Sequence, residues 1–151
     1  LTKNIGVSNF TKAQFDKAVE LSDAPILVNQ VEYHPFIDQT KLLAEAGHKG
    51  SALTAYCPLA QGRVFKNETI KMIAERYGVT PAQIVLRWFV QQPGVVAIPR
   101  SSNPEHIRQN FAIDEIHLDG DEMARISALR MHHDRIVDPD FAPVWDNPLA
   151  A

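Results

Sequence analysis

Ile26-Leu27-Val28-Asn29-Gln30-Val31 is the stretch on which the fold turns. It is a short, nearly continuous apolar run, carries two amides toward its end, and is broken by Tyr33-His34-Pro35. Strands covered on both faces read in this way. Three other runs share its form: Ile5-Gly6-Val7, Ala52-Leu53-Thr54-Ala55-Tyr56 and Gly94 to Ile98. Helical patterns lie between them. Thr11 and Gln14 form a capping box that opens a helix bearing Phe15, Ala18, Val19 and Leu21. Asp38 is a candidate N-cap for a helix through Leu42, Leu43 and Ala46, stopped by Gly47. Pro58 ends the third run, and a polar loop from Ala60 to Lys66 leads to a helix over about 67–77, closed by Gly78. Thr80-Pro81-Ala82-Gln83 starts another helix with a cap, a first-turn proline and a capping glutamine; Ile84, Val85, Trp88 and Phe89 form its apolar face. Asn103-Pro104-Glu105 opens a helix to about Asn110, and Asp119 with Glu122 caps a last one reaching about Leu129. From Met131 the prolines and turn pairs predict an irregular arm.

Alternating strand and helix predict a parallel α/β sheet. Two architectures satisfy the rhythm, an open doubly wound sheet and half of an eight-stranded barrel, and periodicity does not choose between them. The chain has 151 residues, 45% hydrophobic and 22% charged, enough for one domain with a sizeable core. Fifteen Lys and Arg against eighteen Asp and Glu leave a net charge of −3, which excludes a generally basic nucleic-acid binder. No apolar run approaches the ~20 residues that span a bilayer, so no membrane partner is expected, and neither is a secretory leader. The single cysteine, Cys57, forms no internal disulfide, and a reducing, cytoplasmic setting is expected. The chain opens on Leu1 with no turn ahead of its first apolar stretch, so further polypeptide is expected upstream.

Every strand ends in polar or aromatic residues: Ser8-Asn9, Asn29-Gln30, Tyr56 and Arg100-Ser101-Ser102. Ligand sites in parallel α/β folds form at the carboxyl ends of strands, so these groups are expected on one rim. Amides offer paired donors and acceptors. Tyr56 offers a stacking plate, and Arg100 beside the start of the Asn103 helix offers an anion site. The set suits a flat heteroaromatic carboxamide joined to phosphates. Each feature also has a plainer reading: turn residues for Ser8 and Asn9, packing for Tyr56, a solvated loop for Arg100-Ser101-Ser102, a buried small hydrophobe for Cys57. The adjacent pair His132-His133 shares no helix face and has no third ligand, so no metal site is expected. Glu32 and Asp38 show no partner for acid–base work. Neither GxGxxG nor a P-loop occurs.

Taken together the segments resemble the aldo-keto reductase family. The resemblance rests on Ile5-Gly6-Val7-Ser8-Asn9-Phe10, Asn29-Gln30-Val31-Glu32-Tyr33-His34-Pro35, Ala55-Tyr56-Cys57-Pro58-Leu59, and Ile98-Pro99-Arg100-Ser101-Ser102-Asn103-Pro104-Glu105-His106-Ile107-Arg108-Gln109-Asn110, in family order and spacing. The tail Val137-Asp138-Pro139-Asp140-Phe141 is similar to the short C-terminal arm of the bacterial reductases of this family, the diketogluconate reductases among them. The resemblance implies a (β/α)8 TIM barrel with NADPH across its carboxyl rim. This chain would be its last four β/α units over about 1–130 and the arm over about 131–151. It implies that Ser8, Asn9 and Gln30 hold the nicotinamide carboxamide and that Tyr56 stacks on the ring. Leu59 and Gln61 would lie along the pyrophosphate. Arg100, Ser101 and Ser102 would contact the 2′-phosphate with His106 near, and Gln109 and Asn110 the adenine.

Two positions depart from the family: Arg100 stands where Lys is usual and His106 where Arg is usual. A neutral imidazole lacks the fork that grips a phosphate, so weaker NADP preference and some NAD use are expected. The family's catalytic Tyr, Lys, Asp and His belong to the first half of the barrel, and Tyr33, His34, Tyr56 and Tyr77 match other positions. The expectation is a cofactor-binding half of an NAD(P)H-dependent reductase of small aldehydes or ketones, inactive alone. It would pair with an N-terminal half or a second copy. The alternative is a non-catalytic nucleotide-binding or assembly module. Phe141 and Trp145 are candidates to line the carbonyl pocket or to anchor a core.

Overall fold

Four parallel strands lie side by side in the order in which the chain makes them: β1 (Ile5–Ser8), β2 (Ile26–Glu32), β3 (Ala52–Tyr56) and β4 (Val95–Ala97). The structure is a computed structural model and describes residues 2–146. Sequential order separates the two architectures. A doubly wound sheet reverses its strand order at a switch point and carries helices on both faces. Successive right-handed crossovers in one direction place every helix on the same side, as around a barrel.

Burial shows which side. Along β3, Leu53 and Ala55 are fully buried, whereas Ala52, Thr54 and Tyr56 are half-exposed. The register carries this alternation across the sheet. Val28 pairs with Ala52, Gln30 with Thr54 and Glu32 with Tyr56, while Gly6 and Ser8 pair with Val28 and Gln30. Val96 continues this row beside Thr54 and is 51% exposed. The opposite face, with Val31, Leu53 and Ala55, packs with helical Phe15, Ile84 and Phe89 into the core. Helices therefore seal one face of the sheet and leave the other open, except at Glu32, which is fully buried at its carboxyl end, with β1 and β4 as free edges.

The helices follow their caps. Capping boxes at Thr11, Thr80 and Asp119 start α1 (Lys12–Leu21), α4 (Pro81–Val90) and α6 (Gly120–Ala128). Asn67 and Asn103 cap α3 (Glu68–Tyr77) and α5 (Pro104–Phe111), and Gly78 closes α3 in the left-handed region. α2 (Thr40–His48) corrects two expectations. Its N-cap is Gln39, while Asp38 accepts the Thr40 N–H at 2.9 Å from one residue earlier. Gly47 lies within the helix, and the turn comes at Gly50, with φ +70°. Residues Ala60–Lys66 are short 3₁₀ turns rather than a polar loop, because Ala60 and Val64 are fully buried. β4 is shorter than Gly94 to Ile98. Two helices follow each of β3 and β4, as the starts at 67, Thr80, Asn103 and Asp119 predict, and a 3₁₀ turn (Leu129–His132) leads into the arm.

Candidate functional site

Parallel pairing brings the carboxyl ends of all four strands to one edge of the sheet. Ser8 Oγ donates to the Gln30 carbonyl at 3.0 Å, and Asn9 N donates to the same carbonyl at 2.9 Å. The Tyr56 hydroxyl donates to Asn9 Oδ1 at 2.9 Å. Ser8, Asn9, Gln30 and Tyr56 thus form one cluster, with Gln30 half-buried on the open face. Burial, aided by the Glu32 charge, pushes the Tyr56 hydroxyl up from its ordinary pKa.

The amide pair read from the sequence is split. Strand neighbours point to opposite faces, and Asn29 turns to the helix side, fully buried. It donates to the Phe10 carbonyl at 2.8 Å and accepts from Phe10 N at 3.4 Å, pinning the loop after β1. Only Gln30 faces the rim.

A pocket of about 350 Å³ lies between Ser8, Asn9, Phe10 and Gln14 on one side and Val137, Phe141 and Trp145 of the arm on the other. A second, of about 420 Å³, is lined by Cys57, Leu59, Gln61, Phe65 and Arg100. A third, of about 290 Å³, is lined by Leu59, Phe65, Arg100, Ser101, His106, Gln109 and Asn110. The second and third share Leu59, Phe65 and Arg100, and so make one groove. Tyr56 links its near end to the first pocket through Asn9. Ser102 is exposed beside Ser101. Cys57 is half-buried groove lining rather than core; burial and the Glu32 charge push its thiol up.

Backbone strain gathers here. Asn9, Cys57, Ala60 and Gln61 have φ of 58°, 51°, 49° and 49°. Left-handed backbone in residues other than glycine costs about 1 kcal/mol or more each and concentrates at ligand sites. At the far end, Asn103 N donates to Ser101 Oγ at 3.1 Å and Glu105 N to Asn103 Oδ1 at 2.9 Å. Pro104 has no N–H, so the start of α5 spends these two donors on its own cap.

Glu32 has the partners that its sequence context did not show. It is fully buried at the end of β2 and accepts from His34 Nε2 at 2.9 Å and from the arm's Ile136 and Val137 N–H groups at 2.7 and 2.8 Å. Burial would raise its carboxyl. The bonds from His34, Val137 and Ile136 outweigh that and hold it below its ordinary 4.5. The available signal was the spacing of two from Gln30, which puts both side chains on one strand face. Tyr33 instead belongs to the core, edge-on to Trp88 and Phe89. Among the described residues no His, Cys, Asp or Glu group of three or more is placed to hold a metal ion. No helix among them is long and apolar enough to cross a membrane.

The model of the Aldo/keto reductase family matches residues 1–131. Methylglyoxal reductase DkgB of Escherichia coli O157:H7 is 37% identical over 97% of this chain and 55% of its own length. Aldose reductase B of Dictyostelium discoideum is 39% identical over 97% of this chain and 48% of its own. A solved structure described as a 2,5-diketo-D-gluconic acid reductase B superposes with a TM-score of 0.91 at 44% identity, over 95% of this chain and 52% of that one. A mutant of Gox0644 in complex with NADPH does so at 0.85 and 34%, over 93% and 52%. The chain spans about half the length of the relatives it matches, and its four β/α units are half of their (β/α)8 barrel. In sequence and in fold, the chain belongs to the aldo-keto reductase family.

Proposed function

We propose that this chain forms the cofactor-binding half of a nicotinamide-dependent reductase of small aldehydes and ketones. The rim at the carboxyl ends of the strands carries this reading, because its two ends differ in chemistry. Amide, hydroxyl and phenol groups converge at Ser8, Asn9, Gln30 and Tyr56. A guanidinium, a hydroxyl and amides converge at Arg100, Ser101, Gln109 and Asn110. That polarity fits a dinucleotide with a carboxamide at one end and a phosphorylated adenosine at the other. Ser8, Asn9 and Gln30 would hold the carboxamide, with Tyr56 against the ring. Leu59 and Gln61 would flank the pyrophosphate. Arg100, Ser101 and Ser102 would hold the 2′-phosphate, with His106 near, and Gln109 and Asn110 the adenine.

When bound, the cofactor supplies a hydride to the carbonyl carbon. The chain's own work is to bind, orient and desolvate, and proximity of this kind supplies much of a rate enhancement. Tyr56 spends its proton on Asn9, and Glu32 is engaged by the arm. We therefore place the proton donor on the preceding half of the barrel, which would also cover the open face at Thr54 and Val96. A second copy is the alternative cover when the chain is alone. With His106 in place of an arginine fork, NADP preference is modest and NAD is also used. The names of the relatives support small dicarbonyl and keto-acid substrates. A lone cysteine suits a cytoplasmic setting.

Fluorescence titration of the native polypeptide with NADPH and NADH tests this. Saturable binding is expected, and Arg100→Ala should weaken NADPH about tenfold, as for a lost charge-assisted pair. Saturation by neither nucleotide would overturn the reading.

A further inference from the structure

The arm is held by a device that packing alone does not require. Arg135 begins a segment whose next two backbone N–H groups, at Ile136 and Val137, each meet one oxygen of the fully buried Glu32 carboxylate, at 2.7 and 2.8 Å. His34 fixes that carboxylate. Its Nδ1 accepts from Phe36 N at 3.2 Å, which leaves the Nε2 proton for Glu32 Oε1 at 2.9 Å. The Glu32 carbonyl is itself held by Gln39 Nε2 at 2.8 Å. Further ties fasten the arm to either side. Asp134 N donates to the Phe36 carbonyl at 2.8 Å, the Arg135 guanidinium lies 3.7 Å over the Trp145 ring, and Asp146 accepts the Lys12 N–H at 2.7 Å.

A buried carboxylate is costly unless it is fully satisfied, and an apolar side chain would pack an arm at less expense. What a carboxylate adds is two acceptors at one point. Two oxygens engage two successive N–H groups, so the arm is pinned at a fixed place on the rim. The arm needs such an anchor because its own residues bury little. Phe141 is 89% exposed although it lines the pocket shared with Ser8 and Asn9.

We propose that Glu32 is a positioning residue whose carboxylate latches Ile136 and Val137 and thereby sets the wall, with Phe141 and Trp145, against which the carbonyl substrate is selected. The latch is independent of the proposed reductase function; its effect on substrate choice rests on that function.

The test uses the complete barrel, this chain together with the preceding half that the proposed function calls for, carrying Glu32→Gln, which keeps one acceptor but turns an NH2 toward an N–H. Amide exchange at Ile136 and Val137 should quicken at least about tenfold, in keeping with loss of a hydrogen bond to a charged group. KM for a six-carbon diketo acid should rise about tenfold. For a three-carbon dicarbonyl, kcat and KM should stay within about twofold, as should NADPH affinity. Val137→Pro removes one latch donor with Glu32 intact, should quicken exchange at Ile136 and shift the two substrates' KM in the same way, and decides the matter if the Glu32 variant does not fold. Unchanged exchange overturns the latch. Quickened exchange with both substrates affected alike, or with neither affected, overturns the selective wall. Exchange is read without turnover, so a polypeptide that binds no nucleotide would sink the reductase reading and still report on the latch.

Discussion

The Tyr56 hydroxyl donates to the Asn9 side-chain oxygen at 2.9 Å, tying the end of β3 to the end of β1 across the intervening β2. Asn9 holds that position with φ 58°, where asparagine is better tolerated than most residues. Tyr56→Phe should cost about 1 kcal/mol, the net worth of one hydrogen bond. Asn9→Gly loses the bond but relieves the backbone, whereas Asn9→Ala loses the bond and keeps the strain. Urea unfolding should therefore find Asn9→Ala the less stable of the two by about 1 kcal/mol. Equal midpoints would show that the backbone relaxes.

Arg100 and His106 line the same end of the groove. Arg100→Ala should raise the Kd for NADPH about tenfold and that for NADH less than about twofold. His106→Arg should strengthen NADPH alone, by about five- to tenfold, because a second fork reaches the 2′-phosphate. Parallel titrations with the two nucleotides check both.

Gly6 sits directly across from Val28. A Cβ at Gly6 would come within 2.5 Å of Val28 Cγ2 and 3.0 Å of the Val28 carbonyl oxygen. Gly6→Ala should cost about 1–3 kcal/mol by overpacking. Val28→Ala added to it should recover part of that loss in thermal unfolding, since it removes the side-chain clash and leaves the backbone one.

The Glu32 latch has a defined acid limit. Its folded pKa lies below the ordinary 4.5, so the stability it supplies is fully present above that value and is lost as pH falls through the folded pKa. His34 and Arg135 are the charged or titratable partners at the carboxylate, and Tyr56 and Cys57 also sense it. The Ile136 and Val137 amide resonances should hold steady from pH 7 to 4.5 and move only below it. A midpoint above 4.5 would mean that the carboxylate is not held by these bonds.

Purified alone, the 151-residue chain should bind NADPH without turning over carbonyl substrates. Light scattering should report self-association, because Val96 and the free edges of β1 and β4 stay open. Val96→Lys should lower that association. A folded monomer that reduces a carbonyl would contradict the division of labour proposed for the two halves.

Much of this was written locally. The caps at Thr11, Asn67, Thr80, Asn103 and Asp119 each rest on a bond between residues two or three apart, so neighbours alone declare them. The polar ends of the four strands were equally plain, and together with the motif order they identified the family. What neighbours do not declare is which of two adjacent amides faces the rim, that the strands keep sequential order, or what Glu32 is for. Asn29 and Gln30 were separated by the pleat once register was set, and Asn29 went to the loop at Phe10. Glu32 found its partners 104 and 105 residues away. Contacts of that separation exist only after the sheet and its helices have closed the intervening chain, and no local preference in Ile136 or Val137 records them.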